Sequence, residues 1–251
     1  MSAYEALALV YDQLTEDVAY QRWADYIQRH FRRSGKEIRT VLDLACGTGS
    51  LSCTLAERGY EVIGADASEE MLSVAMEKSR KVKKEKPIFL HQAMEDLDLY
   101  GTVDACVCCL DSINYVKKEA LAEGIRRVHL FLEPGGLFLF DIRPPWALEA
   151  MDGQIFFDER EDLFCLWRGE YVTKGRYCRF EMDLFQEEET GLWRRSQEEH
   201  IEYAHAPEEL CRCLKAAGFL EIRQYGNLKL RAPKAGEDRI FFTARKGTEQ
   251  V

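Results

Sequence analysis

The residues whose types and spacing best suit ligand chemistry lie between Thr40 and Ser50, in the sequence TVLDLACGTGS. An apolar, β-branched run leads to the acid Asp43, and a turn containing Gly47 and Gly49 precedes a helix-compatible segment. Glycine adopts backbone conformations closed to other residues and lets a ligand approach the main chain. The free N–H groups at a helix start bind polar or anionic groups. The negative charge of Asp43 suits a ligand with an ammonium or sulfonium group.

A glycine turn of this kind is also typical of dinucleotide-binding proteins, whose fingerprint is G-x-G-x-x-G. Here Ser52 occupies the position of the third glycine. Asp43 would in addition repel the pyrophosphate of a dinucleotide. Both features disfavour a nicotinamide-dependent oxidoreductase, and an ordinary strand-to-helix turn is the remaining alternative.

A second acid, Asp66, ends the next predicted strand, 17 residues after Gly49. In a nucleotide-binding α/β fold, an acid at this place accepts hydrogen bonds from both ribose hydroxyls. Its alternative role is a turn or helix cap before Ser68. Together with the glycine turn, Asp66 predicts a cofactor site at the carboxyl edge of the sheet.

The apolar run followed by Asp43, Gly47 and Gly49 resembles motif I of the class I S-adenosylmethionine (SAM) dependent methyltransferases, D-x-x-x-G-x-G. The resemblance covers about residues 38–143 and 204–246, and it implies SAM as cofactor and S-adenosylhomocysteine as product. It also implies cofactor contacts by a set of residues spread along the chain: Tyr11, Trp23, Asp43, Ala45, Gly47, Gly49, Asp66, Ala67, Met71, Ala93, Met94 and Leu110.

Some of these positions have a second interpretation. Ala93 stands where family members often carry an acid that bonds the adenine amino group, so this contact is absent or comes from elsewhere. Met71 suits ordinary helix packing equally well. Tyr11 and Trp23 belong to aromatic stripes at helical spacing, which more often pack in a core than contact a ligand.

The family resemblance implies that the methyl acceptor arrives where predicted strand four ends, at Asp111-Ser112-Ile113-Asn114-Tyr115. Asp111 and Tyr115 are candidates to orient the acceptor or take its proton, unless this is simply a polar loop. The absence of an Asn/Asp-Pro-Pro-Tyr/Phe sequence argues against methylation of nucleobase amino groups or glutamine amides. His200 shares strand parity with Glu202 and is a candidate base. A solvated strand face is its alternative.

The arrangement of predicted elements places these residues in an α/β fold. Strands and helices alternate from Thr40 to Ile142, which predicts parallel βαβ units and a doubly wound, mostly parallel sheet. Strand-rich segments with turn signals then predict an antiparallel insertion of three or four strands, before a helix and two final strands complete a seven-stranded sheet. We therefore divide the chain into an N-terminal helical cap (1–36), a methyltransferase domain (37–145 and 204–251) and an insertion (146–203) that roofs the acceptor site or forms an oligomer interface.

Composition excludes several classes of protein. The net charge of −10 argues against a nucleic-acid partner, which requires clustered basic residues, and the basic run Lys78–Lys86 is interpreted as an exposed helix end. No apolar run reaches the length of a membrane span, and the N-terminus lacks a basic signal region. Nine cysteines are scattered along the chain, and Cys106, Cys108 and Cys109 lie in an apolar predicted strand as small buried hydrophobes, which favours a reduced, cytoplasmic protein without a structural metal. We expect a monomer or homodimer.

Taken together, these features predict a SAM-dependent methyltransferase that acts on a small molecule. Methyl transfer from a sulfonium needs the donor and acceptor to be held in line and shielded from water, which explains why no catalytic triad or metal motif is visible. The acidic composition suits a neutral or cationic acceptor such as an amine. The alternatives are a relative that transfers another group from a SAM derivative and a non-catalytic SAM-binding module.

Overall fold

The computed structural model describes residues 7–188 and 190–248, so the ends of the predicted cap and of the methyltransferase domain, residues 1–6 and 249–251, lie outside these ranges. The α-helices of the described residues are α1 (Leu7–Leu14), α2 (Tyr20–Arg33), α3 (Ser50–Glu57), α4 (Glu69–Ser79), α5 (Lys118–Phe131), α6 (Pro145–Glu149) and α7 (Pro207–Ala216). The strands are β1 (Thr40–Leu44), β2 (Glu61–Asp66), β3 (Ile88–His91), β4 (Val103–Cys108), β5 (Leu132–Ile142), β6 (Ile155–Glu159), β7 (Leu163–Val172), β8 (Tyr177–Glu187), β9 (Trp193–Tyr203), β10 (Phe219–Gly226) and β11 (Ile240–Lys246).

Seven strands form the main sheet, in the order β3-β2-β1-β4-β5-β11-β10. Strands β1 to β5 pair in parallel, while β11 lies antiparallel between β5 and β10. Parallel neighbours require a crossover connection, and the intervening helices supply it. The predicted seven-stranded, mostly parallel sheet is thereby confirmed. Strand β5 begins at Leu132, and it carries a register irregularity against β4.

Apolar side chains pack on both faces of this sheet, which is why β4 and β5 are buried along most of their length. On one face, α5 and α7 cover a core that includes Ile125, Phe138, Phe140 and Leu210. On the other face, α2 and α3 cover a second core. The whole apolar face of α2 is used there, so α2 is a structural layer of the domain.

The four strands β6 to β9 form a separate antiparallel sheet in sequential order. They lie between β5 and α7 along the chain, as the antiparallel insertion was predicted to do. Helix α1 packs between this sheet and α4, where Leu7 and Val10 share an apolar cluster with Met71, Leu163 and Met182. Of the two N-terminal helices, α1 therefore joins the insertion to the main domain.

The turn before α3 determines how closely α3 and α4 approach each other. Gly49 has a φ of +70°, and a Cβ added there would lie 2.9 Å from the Cβ of Ala75 in α4. The left-handed backbone and the close contact with α4 both require glycine at this position.

Among the described residues, no helix has both the length and the apolar character needed to cross a bilayer.

We expect Gly49→Ala to lower the free energy of unfolding by about 2–5 kcal/mol, because left-handed strain costs about 1–2 kcal/mol and overpacking adds about 1–3 kcal/mol. Gly35→Ala is the matched control, since Gly35 has a φ of +73° but no atom within 4 Å of an added Cβ. It should cost only about 1–2 kcal/mol. Urea unfolding of both variants measures the difference, and equal losses would show that the contact with α4 is unimportant.

Candidate active site

A cavity of about 960 Å³ opens where the parallel strands of the main sheet end. Its walls come from the carboxyl ends of β1, β2, β4 and β5, from α1, and from the inner face of the insertion. Ligand sites commonly measure about 300–1,000 Å³. The cavity therefore has room for a cofactor together with a small second molecule.

Most of the residues predicted to contact the cofactor line this cavity. They are Tyr11, Ala45, Gly47, Asp66, Ala67, Met71, Ala93, Met94 and Leu110. The candidate catalytic residues Asp111, Tyr115 and His200 also line it. Three predicted residues, Trp23, Asp43 and Gly49, do not.

The carboxylate of Asp66 is fixed at the end of β2 by two main-chain donors. Its Oδ2 accepts a hydrogen bond from the N–H of Gly47 at 2.7 Å, and its Oδ1 accepts one from the N–H of Ser68 at 2.9 Å. Burial raises its pKa, although these N–H groups act in the opposite direction. Asp66 thus forms the turn before α4 and also lines the cavity, where its contact with a ribose stays a prediction.

The main chain of the glycine turn faces open space. A Cβ added to Gly47, which has a φ of +53°, would meet no protein atom within 4 Å. Ala45 lies just before it and is also left-handed, with a φ of 56°. Strained backbone of this kind concentrates at ligand sites, where the surrounding structure holds it in place.

Asp43 and Gly49 act behind the cavity wall. Asp43 is buried and accepts a hydrogen bond from the hydroxyl of Ser52, the residue that replaces the third glycine of the dinucleotide fingerprint. Burial raises the pKa of Asp43 to about 7. The Asp43–Ser52 pair ties β1 to α3, and it places the carboxylate beneath the glycine turn.

Trp23 was predicted to contact the cofactor and packs in the core instead of lining the cavity. Its ring packs in the core 5.3 Å from that of Phe241, with the guanidinium of Arg239 5.5 Å above it. Helix α2 turns its aromatic stripe toward the sheet, and Trp23 is not among the residues that line the cavity. The packing alternative weighed for this stripe is the one that the structure shows.

The end of the cavity away from the glycine turn begins at a strained turn after β4, where the acceptor is expected from the sequence. Leu110 and Asp111 have φ angles of 61° and 55°. Their N–H groups donate to the two oxygens of the Asp141 carboxylate, at 2.9 and 3.0 Å. Asp141 is fully buried in β5, and it holds two consecutive left-handed residues in place.

Asp111 lies at the centre of a buried group of charges. Its Oδ1 is 2.8 Å from Nη1 of Arg239, its Oδ2 is 2.9 Å from Nε of Arg143, and Arg239 also binds Asp141. Burial raises the pKa of Asp111, but the two arginines outweigh it and hold that pKa below its ordinary value. Both carboxylate oxygens are therefore occupied. The carboxylate of Asp111 thus pairs with both arginines, and its expected role toward the acceptor stays a prediction.

Glu202 is the third carboxylate of this group and has a different environment. Its Oε1 lies 3.6 Å from Nη1 of Arg143, while its Oε2 is buried without a hydrogen-bond partner in the described structure. Burial and the nearby charge of Asp111 raise its pKa to about 8, against the opposing effect of Arg143 and Arg239.

His200 points into the same end of the cavity. It is only 3% exposed, and its Nε2 lies 3.2 Å from the carboxylate of Glu198. The rings of Tyr115 and Trp167 have their centroids 6.3 and 6.4 Å from the imidazole. His200 and Glu202 lie on the same face of β9, and both side chains point into the cavity. Both are buried, so this part of β9 is not a solvated strand face.

Asn114 joins three segments around the acceptor end. Its amide nitrogen donates to the carbonyl oxygens of Arg143 and Tyr203, both at 2.9 Å. Its amide oxygen accepts from the N–H of Arg143 at 3.0 Å. The turn after β4, the end of β5 and the end of β9 are thereby held together by one buried side chain.

Sequence reasoning did not place Asp141, Arg143, Glu202 or Arg239 among the site residues. A signal was present for the first two, because an acid and a base end the apolar run LFLFDIR of β5. Arg239 precedes β11 in a segment without a pattern and gave none. Within residues 7–188 and 190–248, no group of three or more His, Cys, Asp or Glu side chains is arranged to hold a metal.

Comparisons with known proteins agree with this geometry. Residues 41–136 match the family model described as a methyltransferase domain. The protein named "Putative methyltransferase YqeM" from Bacillus subtilis (strain 168) is 34% identical over 252 aligned residues, which cover 97% of each chain.

Solved structures extend the likeness to the whole fold. An S-adenosylmethionine-dependent methyltransferase from Clostridium acetobutylicum ATCC 824 aligns with a TM-score of 0.86 at 27% identity, over 97% of this chain and 99% of that one. The sugar N-methyltransferase KedS8 from Streptoalloteichus sp ATCC 53650 aligns with a TM-score of 0.79 at 24% identity, over 94% and 92% of the two chains, and shows the same fold. With a glycine turn and an acid at the ends of β1 and β2, and a relative matched along almost its full length, this chain belongs to the class I SAM-dependent methyltransferases.

Proposed function

We propose that this enzyme methylates a nitrogen atom of a small molecule, with SAM as the methyl donor. The observation that carries the proposal is a single cavity with two chemically different ends. One end presents the glycine turn and Asp66, and the other presents the buried carboxylate of Glu202 beside an aromatic wall. Donor and acceptor bound in one enclosed space satisfy the main requirement of methyl transfer.

The residues at the first end fit SAM. Asp66 offers carboxylate oxygens for the ribose hydroxyls, and the exposed main chain at Gly47 admits the close approach of a ligand. Met71 and Met94 supply apolar surface for the adenine ring, and Tyr11 lies toward the methionine end. When bound, SAM supplies a methyl group activated by its sulfonium.

Helix α1 is proposed to act as the lid of this end. Asp12 accepts hydrogen bonds from Thr48 at 2.7 Å and Ser50 at 3.3 Å, and its carboxylate lies 2.6 Å from Nζ of Lys78. These contacts fasten α1 to the glycine turn and to α4, beside Tyr11. Lys78 was expected on an exposed helix end, but it is part of this attachment. A closed lid excludes water from the reacting groups.

The insertion is proposed to act as the roof of the acceptor end. Phe156, Trp167 and Phe180 line the cavity from β6, β7 and β8, while His200 and Glu202 line it from β9. Apolar walls with a few polar groups are typical of small-molecule sites.

Charge favours nitrogen as the accepting atom. Six acidic and three basic side chains line the cavity, so its potential attracts a cation. An amine is the common acceptor that carries positive charge near neutral pH. The name of KedS8 indicates a nitrogen acceptor for that protein, but at 24% identity its likeness supports only the fold. The assignment of nitrogen therefore rests on the carboxylates.

Asp66→Asn should weaken binding of S-adenosylhomocysteine by about 1–3 kcal/mol, because charge-assisted hydrogen bonds to the ribose are lost. Isothermal titration calorimetry measures this change. Asp96→Asn is the control, since Asp96 is exposed in the short 3-10 helix Met94–Asp96 and does not line the cavity. If the two folded variants bind equally well, Asp66 does not contact the ribose.

The acceptor class is tested with SAM labelled in its methyl group. We expect label to enter one or more of methylamine, glycine and glucosamine, and mass spectrometry should place it on nitrogen. Glucose is the matched control for glucosamine, because it presents a hydroxyl in place of the amine. Label on a hydroxyl or a carbon atom, or on none of these amines, would contradict the proposal.

His200→Ala should leave the affinity for S-adenosylhomocysteine unchanged and lower kcat/KM for the methylated amine by about 100-fold, through misplacement of the acceptor. Glu199→Ala is the neighbouring control, because Glu199 lies on the opposite face of β9 and pairs with Arg179 at 3.7 Å. Full activity of the His200 variant would remove the insertion from the acceptor site.

A further inference from the structure

We propose that Glu202 binds the ammonium group of the acceptor and removes its proton before methylation. This role rests on the proposed nitrogen acceptor and assigns its chemistry to one side chain. Glu202 lies near the end of β9, at the boundary between the insertion and the main domain.

The geometry leaves one oxygen of Glu202 available for a ligand. Its side chain is 5% exposed and lines the cavity, and its contact with Arg143 uses Oε1 at 3.6 Å. Oε2 is buried and has no hydrogen-bond partner among the described residues. A buried acceptor without a donor is costly, and such atoms are rare in folded proteins unless a ligand satisfies them. An ammonium N–H is a donor that matches this oxygen in charge and in direction of hydrogen bonding.

The neighbouring candidates are already committed to other partners. Both oxygens of Asp111 bind arginines, and both oxygens of Asp141 accept main-chain N–H groups. His200 lies against the carboxylate of Glu198. Within the described part of the charged group, Glu202 is thus the carboxylate with an uncommitted oxygen.

The charge balance of the group also favours a cation. Asp111, Asp141 and Glu202 face Arg143 and Arg239, so full ionisation leaves one negative charge in excess. Buried charge is stable when it is paired. A bound ammonium supplies the missing partner and stabilises the ionised form of Glu202.

The environment of Glu202 suits proton transfer near neutral pH. The titratable groups that surround it come from several elements and are Asp111, Tyr115, Arg143, Cys178, His200 and Arg239. Burial, followed by the charge of Asp111, raises the pKa of Glu202 to about 8, while the two arginines act in the opposite direction. A base of this strength accepts and releases a proton near neutral pH, where a general base works best.

The proposed step is a simple proton transfer. One N–H bond of the ammonium breaks and an O–H bond forms at Oε2 of Glu202. The electron pair of the broken bond stays on nitrogen as the lone pair that a methyl acceptor needs. Arg143 remains beside Oε1 throughout, and Glu202 returns its proton to solvent after the product leaves.

The first test measures the ionisation of Glu202 in the absence of methyl transfer. Carbon-13 NMR of glutamate carboxyls, in protein saturated with S-adenosylhomocysteine, should show one signal that titrates near pH 8 and is missing in Glu202→Gln. Addition of methylammonium should move this titration to lower pH by about one unit, which corresponds to a tenfold preference for the ionised carboxylate. Glu199→Gln should keep the signal and its response. If the pH at which the Glu202 signal titrates does not change when methylammonium is added, the proposal is wrong.

The second test uses methyl transfer to methylamine, whose ammonium resembles that of lysine with a pKa of about 10.4. In the wild-type enzyme, kcat/KM should rise as Glu202 ionises and fall as free methylamine loses its proton. In Glu202→Gln, kcat/KM at pH 8 should be lower by about 100-fold. Its kcat/KM should rise steadily with pH, because only the neutral amine can react in this variant. A purely structural role would leave the bell shape unchanged, and that outcome contradicts proton transfer.

Two controls separate this proposal from the proposed function. Glu202→Gln should bind S-adenosylhomocysteine as tightly as the wild type, which shows that the variant is folded, and Glu199→Gln should keep the wild-type pH profile. If no amine is labelled by SAM, nitrogen methylation is refuted by the acceptor experiment alone. The NMR titration tests whether methylammonium binds at Glu202, and its outcome does not depend on the labelling experiment.

Discussion

The acceptor end of this enzyme depends on the buried carboxylate of Asp141. It accepts the N–H groups of Leu110 and Asp111, which are both left-handed, and it binds Arg239 from the segment before β11. Without these acceptors, the turn after β4 would carry two strained residues and two unsatisfied donors in a dry interior. The direction of that turn sets the position of Asp111. Asp111 in turn holds Arg143, which lies beside Glu202 of the insertion.

Cofactor and acceptor ends are built on different physical principles. The cofactor end consists of main-chain turns at the ends of β1 and β2, fixed by short-range hydrogen bonds such as those of Asp66. The acceptor end consists of charged side chains from elements far apart along the chain, which are stable in the interior only because they pair with one another. Helix α1 and the insertion both line the cavity, and the main-chain N–H of Leu7 donates a hydrogen bond to Oε1 of Glu198 in β9 at 2.9 Å.

Local patterns predicted the fold and much of the cavity wall, because their information is carried by neighbouring residues. The glycine turn, the acid of Asp66 and the parity of β9 each need only a few positions. Trp23 shows the limit of such reasoning, since helical spacing identifies a face of α2 but not what that face contacts. Arg239 shows it more strongly, because its partner Asp111 is 128 residues away and no local pattern joins them.

The contrast between short local patterns and long-range contacts also explains why the sequence identifies the family but not the acceptor. Motif I and Asp66 lie within short sequence patterns at the ends of β1 and β2. The charged group at the other end draws on the main sheet, the segment before β11 and the insertion, and no short pattern joins these parts. In this chain, Glu202 and His200 come from the insertion, whereas Arg143 and Arg239 come from the scaffold. The charged group at the proposed acceptor end therefore lies at the boundary between the two sheets, and it is encoded by contacts that only the folded chain brings together.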